Sequence, residues 1–159
     1  MNSRLERLKK TIVLCQKVEE IFARLRVHGH EAVHYDDIIA GFDTSARSGF
    51  LLGWDLVFGR VSPSAPKEEQ ERWEPTSIEV ALTGGEESER LILVSYFPDA
   101  NIWGVEGSTR IGGDGTETIR SLAADCRVSA GDFRQIGEAE AMKIIATLAA
   151  FYVNQPIAV

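Results

Sequence analysis

Two cysteines in 159 residues, Cys15 and Cys126, are too few and too far apart to build a disulfide framework. Neither has a second cysteine or a histidine near it in sequence, so dithiol redox chemistry and a Cys–His nucleophile lack support, and both read as small buried apolar residues. Long apolar runs are missing too. The longest nearly apolar stretch, residues 144–153, is about half of what a membrane-spanning helix needs. Behind the basic start at residues 4–10, only Ile12-Val13-Leu14-Cys15 precedes Gln16 and Lys17, too short for the apolar region of a signal peptide. Neither Gly-x-Ser-x-Gly nor the Gly-Lys-Ser/Thr of a phosphate-binding loop occurs, and there is no internal repeat or low-complexity tract. The expectation is a soluble, cytoplasmic protein.

Positive charge is in deficit, with 17 Lys and Arg against 24 Asp and Glu and a net charge of −7. That disfavours nucleic acid and anionic membrane as partners. The deficit is uneven. Residues 1–29 hold Arg4, Arg7, Lys9, Lys10, Lys17, Arg24 and Arg26 against Glu6, Glu19 and Glu20, so a basic segment adjoins a strongly acidic remainder. Such a segment either complements its own acidic body or meets a partner.

What is present suits one α+β domain over residues 1–159. Leu5, Leu8, Ile12, Cys15, Val18, Phe22 and Leu25 recur at three- and four-residue steps and predict a long helix over 4–28, capped by Ser3 with Glu6. Ala32, Tyr35, Ile39 and Phe42 predict a shorter one over 31–42. Strict alternation of Phe50, Leu52, Trp54, Leu56 and Phe58, and of Ile78, Val80 and Leu82, predicts strands over 50–58 and 76–83. Residues 90–97 are apolar on both faces, as in a central strand covered on both sides. Residues 102–105 make a short fourth strand, residues 116–126 a short helix and residues 138–153 a helix apolar nearly all round. The expected fold is an antiparallel sheet of three or four strands in a meander, packed by the long N-terminal helix and the apolar C-terminal helix.

Residues 30–34 read His30-Glu31-Ala32-Val33-His34. On a helix, positions four apart share a face, so His30 and His34 could hold one zinc ion while Glu31 activates a metal-bound water. The pentapeptide resembles the signature of zinc metallopeptidases, which implies zinc as cofactor, a hydrolase activity and Glu31 as the catalytic base. Beyond it the chain departs from that pattern. Asp36 stands where an apolar residue belongs, Asp37 replaces the glycine of the extended motif, and no downstream Asn-Glu-x-x-x-Glu helix supplies a third ligand. Asp37 lies about 10 Å from position 30 along a helix, too far to share one ion with it.

Two further segments stand out. The glycine-rich run 107–115 precedes a helix, where an anion could bind, although a turn with Asp114 as helix cap accounts for it. Residues 62–75 form a long connection between neighbouring strands, carrying Glu68, Glu69, Glu71 and Trp73 among three prolines. These four residues are the candidate partner-binding set. The composition favours a small acidic module that binds another protein, with a basic surface, without catalysis: an adaptor, effector chaperone, immunity protein or inhibitor. A zinc-dependent hydrolase is the alternative. Apolar surface left over on the two long helices would be absorbed by a homodimer.

Overall fold

In a computed structural model of the chain, the described residues are 3–25, 49–60, 73–84, 89–111 and 117–155. The elements run α1 (Ser3–Arg24), β1 (Leu51–Arg60), β2 (Trp73–Gly84), β3 (Glu89–Phe97), β4 (Ile102–Gly107), α2 (Glu117–Asp125), β5 (Phe133–Ile136) and α3 (Glu138–Val153). The five strands form one antiparallel sheet in the order β1-β2-β3-β4-β5. The fold is α+β and its first four strands are the expected meander. The sheet has five strands rather than three or four. β5 carries Arg134 and Gln135 in a four-residue edge strand of which only Ile136 is buried, so it shows no readable alternation.

Directly opposed residues share a face, and alternate residues along a strand point to opposite faces. Leu52, Trp54 and Leu56 of β1 therefore align with Leu82, Val80 and Ile78 of β2 and with Ile92, Val94 and Tyr96 of β3. All nine are buried, and with Trp103, Val105 and Ile136 they make the inner face of the sheet. α1 and α3 contact each other as well as the sheet, so both cover this one face. α1 contributes Leu14, Cys15, Val18, Ile21 and Phe22 to the core, and α3 contributes Ala141, Ile144, Ile145, Leu148, Ala149 and Tyr152. α2 joins the same core through Ile119, Leu122 and Ala123.

The basic character of α1 is partly neutralised within the chain. Lys17 pairs with Glu138 at 2.8 Å, Arg7 approaches Asp99 at 3.8 Å, and Lys10 donates to Asn101 Oδ1 at 2.6 Å. Asn101 also accepts from the Tyr96 hydroxyl at 3.0 Å and adopts φ +53°, a left-handed conformation that Asn tolerates better than most residues. This turn thereby fastens α1 to the end of the sheet. The predicted stripe of α1 is buried from Cys15 onward, whereas Leu5 and Leu8 remain exposed beyond the core. The helix ends at Arg24, short of the expected 28.

Candidate functional site

His30, Glu31 and His34 lie outside the described residues, as do Glu68, Glu69 and Glu71 and the helix expected over 31–42. Trp73 is not a loop residue. β2 begins with it, paired to Arg60, three residues before the expected strand start. The reading stopped short because of Pro75, which lies at the register shift between Val57 and Phe58, where a missing N–H is tolerated. The described part of the glycine-rich run is a structural junction. Gly107 closes β4, accepts from Gly131 N at 2.9 Å, and leaves no room for a side chain, since a Cβ would stand 2.7 Å from Ser129 O. Ser108 donates to Glu89 Oε1 at 2.6 Å and accepts from Arg110 N at 3.0 Å, tying this loop to the start of β3.

The sheet face opposite the helices carries the unexplained chemistry. One rung across it runs Asp55, Glu79, Ser95, Gly104, Gln135, and the next runs Gly53, Ala81, Leu93, Glu106, Phe133. Small residues make much of its floor. Phe133 is 54% exposed and its ring lies over Gly104, while Phe97, paired with Ile102 on the same face, is 39% exposed. Leu93 is half-buried beside them. The same face bears carboxylates at Asp55, Glu74, Glu79 and Glu106 and a guanidinium at Arg90, whose Nη1 binds Glu79 Oε2 at 2.8 Å. Burial pushes the Asp55 carboxyl up to about 6; Arg90 pulls it back and the neighbouring Glu79 charge raises it further.

Sequence reasoning missed Phe97, Phe133 and Asp55 as site residues. The available signal was the apolar pattern on both faces of residues 90–97. It was read as a strand covered on both sides, and five of the nine residues of β3 are buried, including Ser95 on the face opposite the helices.

Both thiols are buried, and burial pushes Cys15 up to about 12 and Cys126 to about 11, with Glu19 and Asp125 adding to the effect. Neither is a nucleophile at neutral pH. Among the described residues no group of three or more His, Cys, Asp or Glu side chains is placed to hold a metal ion, and no helix is long and apolar enough to cross a membrane. Compared with known proteins, the chain matches no family model, and no curated protein or solved structure is significantly similar to it.

Proposed function

We propose that this protein is a binding module without catalysis, whose ligand is a protein segment that carries basic and apolar side chains on one face. The segment docks on the sheet face opposite α1 and α3, at the exposed Phe97 and Phe133 rings. The observation that carries this reading is the exposure of Phe97 and Phe133 on the same face as Asp55, Glu74, Glu79 and Glu106. Exposed aromatic rings give large contact area at low conformational cost, and a surrounding set of carboxylates selects for Lys and Arg. Adaptors, effector chaperones, immunity proteins and inhibitors that engage basic partner surfaces all fall within this class.

A peptide of about twelve residues in which a leucine is followed four positions on by a lysine serves as probe. Its amide chemical-shift footprint should fall on β3, β4 and β5. A Phe97→Ser, Phe133→Ser double variant should weaken binding at least tenfold. Unchanged affinity in that variant, or a footprint confined to α1 and α3, would overturn the reading. A dimer in sedimentation equilibrium that dissociates in the same variant would identify the occupant as a second copy instead.

A further inference from the structure

Asp55 and Glu79 stand directly opposite each other on β1 and β2, an arrangement in which like charges repel. One cation from a neighbouring rung answers that repulsion. Arg90 reaches across from β3, but its Nη1 is engaged by Glu79 Oε2 at 2.8 Å. Among the described residues, Asp55 is left without a hydrogen bond or ion pair of its own and is only half-exposed. Among the described residues, the remaining charged groups on this face, Glu74 and Glu106, are also acidic, and α1 and α3 pack on the opposite face.

Asp55 also belongs to the rung that continues through Ser95 to Gly104, the residue beneath the Phe133 ring. Three strand spacings separate Asp55 from Gly104, about 14 Å, or roughly four residues of an extended peptide laid across the sheet. A segment with an apolar residue and, four positions on, a basic one can therefore place the first against Phe133 and the second beside Asp55.

We propose that protonation of Asp55 gates docking on this face, the charged form joining Glu79 in drawing a basic side chain of the partner and the neutral form releasing it. The gate rests on the docking reading above. Geometry sets its direction. With Asp55 ionised, the Asp55, Glu79 and Arg90 side chains sum to two carboxylates and one guanidinium, and an incoming cation balances them. With Asp55 protonated, the three are already neutral together, because Glu79 and Arg90 satisfy each other. The raised Asp55 carboxyl, at about 6, places the change within the physiological range.

The test uses the full chain and the same lysine–leucine peptide with both ends blocked, so that its charge is constant between about pH 5 and pH 7.5. Wild-type affinity should rise about tenfold across that interval, with a midpoint near the Asp55 value of about 6. Asp55→Asn, which keeps all three histidines, should bind at the weaker level throughout and lose that midpoint. A carbon-13 titration of the Asp55 carboxyl supplies a readout independent of binding. Peptide affinity unaffected by pH, or an Asp55 carboxyl titrating near 4, overturns the gate while leaving docking in place. Absence of peptide binding at both pH values overturns docking and the gate together.

Discussion

The Phe133 ring lies on Gly104, so close that a Cβ built at Gly104 would stand 2.2 Å from Phe133 Cζ. The two residues are diagonal neighbours on β4 and β5, and the aromatic ring covers backbone that glycine would otherwise leave bare. Because Phe133 is half-exposed, its ring can swing away. Gly104→Ala should therefore destabilise by less than about 1 kcal/mol. Gly107→Ala meets the Ser129 carbonyl and Val128 Cγ1, both at 2.7 Å, and should cost about 2–3 kcal/mol, in line with overpacking of a filled site. Urea midpoints of the two variants rank the sites, and equal midpoints would contradict this account.

Leu148 is fully buried where α3 meets the core. Leu148→Ala should cost about 2–5 kcal/mol, the range for large-to-small changes in a packed interior. Chemical denaturation measures it, and an unchanged midpoint would exclude α3 from the core.

Asp55 makes stability depend on pH in an unusual direction for a carboxylate. Its folded-state value, about 6, exceeds the unfolded value near 4, so the folded chain binds more protons between them. Its contribution is most favourable below about pH 4, weakens as pH rises through the folded value, and becomes a full penalty above it. Solvent screening at this partly exposed group reduces that penalty to about 1 kcal/mol. Asp55→Asn should thus be more stable than wild type by about that amount at pH 7 and equal to it near pH 4. Thermal melts at the two pH values decide, and a variant less stable at pH 7 would refute the assignment.

Arg134 points from β5 to the end of α2. Its Nε donates to Arg127 O at 3.1 Å, and its Nη2 donates to Cys126 O at 3.2 Å and to Glu140 Oε2 at 2.8 Å. One guanidinium thus joins the carbonyl end of α2 to the first turn of α3, and it holds the Glu140 carboxyl below its ordinary range. Arg134→Ala should cost about 1–2 kcal/mol, with faster amide exchange concentrated at residues 122–128. Protection unchanged in that segment would show that the contacts contribute little.

No third ligand accompanies the His30–Glu31–His34 pattern in the sequence. Metal analysis of tag-free protein should therefore find no stoichiometric zinc, and Glu31→Gln should bind the peptide as wild type does. One zinc per chain, lost on replacing both histidines by alanine, would restore the hydrolase alternative.

Element types were legible wherever a period was clean. The alternation through Leu52, Trp54 and Leu56 names the buried face of β1 residue by residue, and the apolar density of 138–153 marks α3 with its observed bounds. β5 was not legible, because an edge strand needs little burial and Arg134 is spent on helix carbonyls rather than on an alternating pattern. The candidate site was less legible still. Phe133 and Gly104 are 29 positions apart, and the Asp55–Glu79 pair exists only through strand register. No local periodicity encodes either. Carboxylates clustered in sequence drew attention to residues 68–71, whereas the carboxylates of the face opposite the helices come from three strands.

The inner face of the sheet has a temporal consequence. β1 to β4 pair with sequence neighbours, so the meander closes through short-range contacts, while the Lys17–Glu138 link joins residues 121 positions apart. During synthesis, the strands holding Trp54, Val80, Val94 and Tyr96 are complete before Ile144, Leu148 and Tyr152 of α3 have been made. For that interval, among the described elements, the apolar platform has only α1 and the short α2 to shield it, which makes the nascent chain a substrate for holding chaperones and makes truncation before α3 a route to aggregation.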